Sequence, residues 1–230
     1  MRNKIIQEIH QEMKKDKKIF FLTADMGINL VEKIETDFPE RFLNVGIAEQ
    51  NMVGISAGLA KSGKLPIMHA LSTFLTMRAF EFIRTDLGYP NLRSIIVGTF
   101  TGFNSTANGP THQAIEDISI LRVLPNLKIV APCDAIEMRR LIEQTKNLNG
   151  PLYVRIARGG EEIITSENEK IVFGKANVKI EPKEVLFLTT GITTQIAIEA
   201  TKTLNKNSKK FCFLHIKQLL LFFFHFHLVD

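Results

Sequence analysis

The stretch Arg41-Phe-Leu-Asn-Val-Gly-Ile-Ala-Glu-Gln-Asn-Met52 passes from an apolar strand into a helix within a few residues. Residues 41–45 are typical of a strand, and the alanine- and glycine-rich residues 49–62 predict a helix that Gly63 ends. The small side chains of that helix indicate very close packing against another helix. A strand that leads directly into a helix is the repeating unit of a parallel α/β sheet.

The same alternation continues on both sides of this stretch. Before it, Ile5, Ile6, Ile9 and Met13 recur at helical spacing. Short apolar runs predict further strands, and the segments between them predict helices. The predicted strands lie at 18–24, 41–45, 65–71, 93–98, 127–131 and 152–157, and the helices at 49–62, 73–87, 113–123 and 135–147. This rhythm predicts an α/β fold with a doubly wound, mostly parallel sheet.

A second, shorter unit follows the first. The polar residues 158–170 break the pattern and predict a linker. After it come a predicted strand at 184–190, a helix at 193–204 and a strand at 210–216. We therefore expect one domain at 1–165 and an incomplete second α/β domain at 166–230.

Composition limits the possible classes of protein. The chain has 230 residues, of which 45% are hydrophobic and 23% charged, as in ordinary soluble proteins. Its two cysteines form no CxxC motif, which excludes a disulfide scaffold and a cysteine zinc site and suits a reducing cytoplasm. The net charge of +5 is diffuse, so it favours anionic ligands but does not indicate nucleic-acid binding. No apolar run of about 20 residues precedes residue 210, so no membrane association is expected.

Open sheets of this kind bind ligands beyond the carboxyl ends of their strands. We therefore expect the chemistry at 46–49, 72–74 and 99–112. The last of these is a polar, glycine-rich loop that contains His112. Functional loops favour such a setting, although any turn-rich loop could look alike.

The individual candidates also have ordinary structural explanations. Glu49 could be a first-turn acid that the helix dipole favours. Phe74, Met77 and Phe80 are spaced three apart and could be core residues. Arg158, which Gly159 and Gly160 follow, could be a strand-end cation or an anion clamp.

The joint order of five sequence blocks resembles transketolase. The blocks are Arg41 to Met52, Ser72-Thr-Phe74, Gly109-Pro-Thr-His-Gln113, Leu121-Arg-Val-Leu-Pro-Asn126 and Gly150-Pro-Leu-Tyr-Val-Arg155. The resemblance runs from about residue 18 to residue 216. It is closer to the separate C-terminal subunit of split transketolases, with features of deoxyxylulose-phosphate synthase. It implies a pyrimidine-binding domain up to about residue 165, followed by the start of the small C-terminal domain.

The resemblance implies thiamin diphosphate as the cofactor. Glu49 matches the family glutamate that hydrogen-bonds N1′ of the aminopyrimidine and so helps to activate the thiazolium ring. Phe74 matches the aromatic residue that stacks on the pyrimidine. Met77 and Phe80 match the other two positions of that pocket, and their spacing predicts an apolar wall on one helix face.

Three further residues match substrate-binding positions of the family. His112 matches a histidine near the substrate oxygen, and it is a plausible proton donor. Arg158 matches the arginine that grips the sugar phosphate, for which a guanidinium fork is suited. Asp25 matches an acidic position at the end of the first strand, and its role stays open.

Two positions depart from the family. Asn108 stands where transketolases have an aspartate that reads a donor hydroxyl, so donor preference is expected to differ. Phe100 stands where they have a phosphate-contacting histidine. The loss of that contact weakens the case for a phosphorylated sugar and leaves a sugar activated in another way as an alternative.

The chain lacks the Gly-Asp-Gly motif with which thiamin diphosphate enzymes hold Mg²⁺ and the diphosphate. The resemblance therefore implies a separate N-terminal subunit that binds both, in a homodimer or a heterotetramer, and no metal site in this chain. The expected activity is transfer of a two-carbon ketol unit between sugars, as part of carbohydrate metabolism. The alternatives are acyloin formation from a 2-oxo acid, as in deoxyxylulose-phosphate synthase, and an inactive truncated remnant.

The end of the chain, residues 217–230, has a composition unlike the rest. Lys217-Gln-Leu-Leu-Leu221 stands where the family continues with a further helix and strands. One lost base in an AT-rich codon run would produce this switch, so we expect a frameshift and a small sheet with an exposed edge that favours aggregation. A native apolar strand or a membrane tail is the alternative, although Lys217, His225 and His227 interrupt the run.

Overall fold

Six parallel strands make up all but one short border strand of the large sheet in a computed structural model, which describes residues 1–145, 148–180, 185–208, 211–215 and 218–219. The strands are β1 (Ile19–Thr23), β2 (Phe42–Asn44), β3 (Leu65–Leu71), β4 (Ser94–Thr99), β5 (Lys128–Val130) and β6 (Pro151–Arg155). Their spatial order is β5-β6-β4-β3-β1-β2, and every neighbouring pair is parallel. The predicted doubly wound α/β sheet is therefore confirmed.

Helices cover both faces of this sheet. They are α1 (Arg2–Lys15), α2 (Glu32–Asp37), α3 (Glu49–Lys61), α4 (Phe80–Phe82), α5 (Asp117–Leu121) and α6 (Ala135–Gln144). On one face, α1 and α6 bury Ile5, Ile9 and Met138 against the strands. On the other, α3 and the helical segment around α4 bury Met52 and Ile83. Both faces of the sheet are thus covered by helices, and the carboxyl ends of its strands lie at one edge between them.

A second, three-stranded sheet follows. It consists of β7 (Asn177–Ile180), β8 (Val185–Thr189) and β9 (Phe211–His215) in the order β7-β9-β8, with α7 (Thr193–Ser208) after β8. Strand β8 runs parallel to β9, and β7, which the sequence pattern did not predict, runs antiparallel to it.

Two predicted helices differ from the structure. The helix expected at 113–123 is helical only over α5, because the preceding Ala114 forms a β-bridge and its carbonyl accepts the Gly102 N–H at 2.7 Å. The segment expected as a regular helix at 73–87 is helical, but Phe74–Arg78 and Ile83–Gly88 form π-helical turns on either side of α4. These wider turns change which side chains share a face.

The predicted linker, 158–170, contains no helix or strand, yet its backbone is hydrogen-bonded to Asp134, which directly precedes α6. The Asp134 carboxylate accepts hydrogen bonds from the N–H groups of Ile164 and Thr165 at 2.9 and 2.6 Å. Asp134 also caps α6, since its other oxygen accepts the Glu137 N–H. One buried carboxylate thus joins the linker to a helix.

The predicted apolar tail falls mostly outside the described residues, at 217 and 220–230. Within it, β10 (Gln218–Leu219) pairs antiparallel with β5 at the border of the large sheet. None of the helices in the described part of the chain is both long and apolar enough to span a bilayer.

Candidate functional site

The carboxyl ends of the strands meet along one edge of the large sheet, and most of the predicted site residues follow them. Asp25 follows β1, Phe74 comes three residues after β3, and Phe100 follows β4 directly. Asp25 and Phe100 have φ angles of +49° and +59°, in the left-handed region that residues other than glycine seldom adopt. Backbone strain of this kind concentrates at functional sites.

Glu49 is the first residue of α3 and is only 2% exposed. The Arg78 guanidinium donates a hydrogen bond from Nη1 to Glu49 Oε2 at 2.8 Å, and the Arg78 side chain is 42% exposed. A buried carboxylate thus has a partner that reaches it from the solvent side. Sequence reasoning missed Arg78, although its position four residues after Phe74 in a helical segment is a signal that could have found it.

Phe74 lies between Arg78 and His112. The Arg78 guanidinium carbon is 4.4 Å from the Phe74 ring centroid, which is a cation–π contact. The His112 ring meets Phe74 edge-on, with centroids 5.1 Å apart and planes at 72°. We call Glu49, Arg78, Phe74 and His112 the site row, because each member contacts the next.

The two other residues of the predicted apolar wall differ in exposure. Met77 is 39% exposed, whereas Phe80 packs against the apolar core beneath α3. The π-helical geometry of Phe74–Arg78 contributes to this difference, because its wider turns spread residues spaced three apart over a broader face. The wall therefore stays a prediction.

Asn108 and Arg158 lie near each other, at a cavity that no member of the site row lines. With Phe100, they line this cavity of about 340 Å³ under the loop that carries His112. His112 Nδ1 lies 2.9 Å from the Thr111 hydroxyl in the same loop.

Asp25 lies elsewhere along the edge. Its N–H donates to Asn44 Oδ1 at 3.0 Å, and its carboxylate accepts from Asn44 Nδ2 at 3.4 Å. Together with Asn44 it lines a separate small cavity of about 120 Å³ at the ends of β1 and β2. The structure does not place Asp25 in the cavity of Asn108 and Arg158.

A buried polar network holds the residues that directly follow the loop of His112. Tyr153 Oη donates to Asp117 Oδ2 at 2.8 Å, and Arg155 Nε donates to the same oxygen at 2.8 Å. Ser72 Oγ lies 2.5 Å from the Tyr153 hydroxyl, and Arg155 also donates to the Ala114 carbonyl. Burial and the Asp117 charge raise the pKa of Tyr153 well above its usual value, so the phenol stays protonated and can donate. We call Ser72, Asp117, Tyr153 and Arg155 the support network.

Metal binding has no candidate among the described residues, where no three His, Cys, Asp or Glu side chains cluster. Cys133 is buried and free, and burial raises the pKa of its thiol far above the usual range. A thiol held in the neutral form is a poor nucleophile and a poor metal ligand.

The sequence of this chain is similar to known proteins of one family. The family described as "Transketolase, pyrimidine binding domain" matches residues 1–160. A 6-deoxy-6-sulfo-D-fructose transketolase subunit of Clostridium sp. (strain MSTE9) is 33% identical over 205 residues, covering 89% of this chain and 64% of that protein. The 1-deoxy-D-xylulose-5-phosphate synthase of Listeria monocytogenes serotype 4b is 36% identical over 205 residues, covering 87% of this chain and 33% of that protein.

A solved structure described as a split gene transketolase, inactive beta4 tetramer, superposes with a TM-score of 0.85. It is 34% identical, and the match covers 95% of this chain and 71% of that one. The chain spans less than two thirds of the length of the two curated relatives.

Proposed function

The chain belongs to the transketolase family through its pyrimidine-binding domain, and from that premise we propose that it is the C-terminal subunit of a split, thiamin diphosphate-dependent transketolase. It would transfer a two-carbon ketol unit between sugars. We also propose the domain boundary near residue 165 that the sequence predicts. The relative from Clostridium, which is named as a transketolase subunit, supports the assignment to a split enzyme.

The buried Glu49 carboxylate beside Phe74 is the observation that carries this proposal. A planar cationic group, the Arg78 guanidinium, already lies against both of them. An aminopyrimidine is likewise planar and needs a carboxylate at its ring nitrogen and an aromatic face beside the ring. The residues present therefore fit the pyrimidine end of the cofactor.

Glu49 would hold N1′ of the pyrimidine, and Phe74 would face the ring. When bound, thiamin diphosphate supplies a nucleophilic thiazolium carbon and an electron sink. The burial of Glu49 excludes water from the carboxylate, so that its hydrogen bond to a ring nitrogen is stronger than in solvent.

His112 would orient the substrate and move a proton at its oxygen. Its edge-on contact with Phe74 places the imidazole next to the face assigned to the pyrimidine. The support network fixes the start of the helix that follows the His112 loop, since Arg155 holds both Asp117 and the Ala114 carbonyl. The loop therefore presents the imidazole in a fixed place rather than on a free tether.

The rest of the cofactor site would come from a second polypeptide. The described part of this chain offers no cluster of metal ligands, and the sequence holds no Gly-Asp-Gly. On α3, Gly54 and Gly58 face open space, which leaves the helix free for close packing against another subunit. The proposal therefore places the Mg²⁺ and diphosphate on an N-terminal subunit, in a homodimer or heterotetramer of the whole enzyme.

Acyloin formation from a 2-oxo acid is the second candidate function. It is favoured by the similarity to 1-deoxy-D-xylulose-5-phosphate synthase at 36% identity. The two reactions share the cofactor end of the site and differ in the donor, which must be a ketose in one case and pyruvate in the other.

The test is a reconstitution of this full chain with its N-terminal subunit, thiamin diphosphate and Mg²⁺. We expect ketol transfer from a ketose donor to an aldehyde acceptor and no release of CO₂ from pyruvate. We also expect each subunit alone to be inactive and this chain alone to bind the cofactor weakly in calorimetry. CO₂ release from pyruvate would assign the second function, and tight Mg²⁺-dependent cofactor binding by this chain alone would contradict the split site.

A further inference from the structure

A cationic groove lies beside the cavity of Asn108, between the start of α1 and the turn that follows β6. It is a cavity of about 470 Å³ lined by Arg2, Lys4 and Arg158 together with Gly159 and Gly160. Arg158 lines both this groove and the 340 Å³ cavity of Asn108, so the two spaces adjoin. The groove therefore continues the cavity of Asn108 and Arg158 toward the start of α1.

Arg2 is held over Phe100. Its guanidinium carbon lies 5.1 Å from the Phe100 ring centroid, at cation–π distance. Phe100 is itself fixed by its left-handed backbone directly after β4. A planar guanidinium on an aromatic ring keeps its N–H edge free to meet an anion.

The backbone of α1 makes this placement rigid. Ile5 and Ile9 are completely buried against the sheet, and the helix is 14 residues long. Its first turn lines the groove, so the positive end of the helix dipole adds to the two guanidinium charges. Arg2 also acts on the strand ends below, since burial and then its positive charge lower the pKa of His69 to about 4.

Nearby acids do not cancel these charges. Lys4 pairs with Glu8 at 2.9 Å, and Glu161 pairs with the Met1 ammonium at 2.6 Å. No ion pair to Arg2 or to Arg158 is found among the described residues. Arg2 Nε is buried and makes no hydrogen bond within the described part of the chain. Arg2 and Arg158 thus line one cavity without an ion pair of their own, while Glu161 beside it is held by the Met1 ammonium and by the Gly159 N–H at 2.9 Å.

We propose that Arg2 is a further specificity residue for the charged end of the substrate: its guanidinium binds a tetrahedral oxyanion beside Arg158, the arginine that the family resemblance already assigns to the sugar phosphate. The inference rests on the proposed function in taking that anion to be the terminal phosphate or sulfonate of a sugar. The α1 cation over Phe100 supplies the positive charge that Phe100 itself lacks. From the sequence alone, Phe100 in place of a histidine indicates that one phosphate contact is lost. Arg2, on α1, provides a cationic group at the same place.

The first test is titration of the isolated full chain with inorganic phosphate, followed by amide NMR at constant ionic strength. We expect the amides of Asn3, Gly159 and Gly160 to shift together. Arg2→Gln and Arg158→Gln should each weaken phosphate binding about tenfold, as expected for the loss of one charged fork. Arg2→Lys should weaken it less, and Lys14→Gln, an exposed cation farther along α1, should leave it unchanged.

Failure to shift these amides, or wild-type phosphate affinity in Arg2→Gln, would overturn the inference. In the reconstituted enzyme, Arg2→Gln should raise KM for a phosphorylated ketose about tenfold and leave KM for the unphosphorylated ketose unchanged. An equal effect on both ketoses would also overturn it. Phosphate binding without any ketol transfer would reject the proposed function alone, and ketol transfer without phosphate binding would reject this inference alone.

Discussion

The support network and the site row share two stretches of the chain, since Ser72 lies near Phe74 and Asp117 near His112, but they differ in how their polar groups are satisfied. In the support network, Tyr153 and Asp117 are completely buried and bond to each other. In the site row, Glu49 is just as buried, but its partner Arg78 is 42% exposed. The support network is thus held together inside the protein through Asp117 Oδ2, although Asp117 Oδ1 is buried without a hydrogen-bond partner in the described part of the chain. The carboxylate of the site row is instead held by a side chain that can move into solvent.

This difference indicates that the support network stabilises the fold, whereas the site row is able to bind a ligand. Groups that are paired inside the protein lose stability when any member is altered, because the others stay buried without partners. A buried carboxylate whose partner comes from the surface can exchange that partner for a ligand. We therefore expect substitutions in the support network to act on stability and substitutions in the site row to act on binding and turnover.

The largest expected effect is at Gly98, which packs under the support network. A Cβ at this position would lie 2.6 Å from Tyr153 ring and hydroxyl atoms. Gly98→Ala should therefore destabilise the fold by about 3 kcal/mol, measured by urea unfolding. Gly58→Ala is the control, since a Cβ there meets nothing within 4 Å, and it should be neutral or stabilising by up to about 1 kcal/mol. Equal effects of the two substitutions would show that the network is not tightly packed.

The second effect is a pH dependence from His69 on β3. Burial lowers the pKa of this histidine from 6.5 to about 4, so the folded state favours the neutral ring. The stability that depends on the neutral ring is complete above pH 6.5 and is lost as the pH falls toward 4. Between pH 7 and pH 5 we expect a loss of about 2 kcal/mol in the wild type that is absent in His69→Phe. Parallel pH profiles of the two chains would contradict a neutral buried His69.

A smaller effect is expected at Tyr153. Tyr153→Phe keeps the ring but removes the hydroxyl that donates to Asp117, so unfolding free energy should fall by about 1–2 kcal/mol. Tyr89→Phe, at a side chain that is 86% exposed, should change it by less than about 0.5 kcal/mol. Equal changes in unfolding free energy for Tyr153→Phe and Tyr89→Phe would contradict a stabilising role of the buried hydroxyl.

The smallest effect on stability is expected in the site row. Arg78→Gln retains a hydrogen-bond donor for Glu49 but removes the charge, and partly exposed ion pairs contribute only about 1 kcal/mol or less. We expect the unfolding midpoint to change as little as in Arg84→Gln, which breaks the exposed pair with Glu81. A loss of unfolding free energy as large as that of Gly98→Ala would show that Arg78 is needed mainly for the stability of the fold.

The sequence predicted the elements of the large sheet because apolar runs and helical spacing report burial directly. It could not predict the π-helical turns of Phe74–Arg78, since spacing alone does not reveal how wide a turn is. Residue types and order placed Glu49, Phe74 and His112 at the strand ends, where the structure also has them. The spacing of Arg78 from Phe74 is a local signal for Arg78 itself, but its pairing with Glu49, like the contact of Arg2 with Phe100, joins segments that are distant in sequence.

The central claim is that Glu49 acts on the cofactor and not merely as a first-turn acid. The most direct measurement is the turnover of Glu49→Gln in the reconstituted enzyme, beside Glu81→Gln, whose carboxylate lies in an exposed ion pair. We expect a folded Glu49→Gln subunit whose kcat falls by at least about a hundredfold, because an amide cannot share a proton with the pyrimidine nitrogen. The Glu81→Gln subunit should have a normal kcat. A Glu49→Gln enzyme that keeps more than about a tenth of the wild-type rate, a barrier change below about 1.4 kcal/mol, would contradict the central claim.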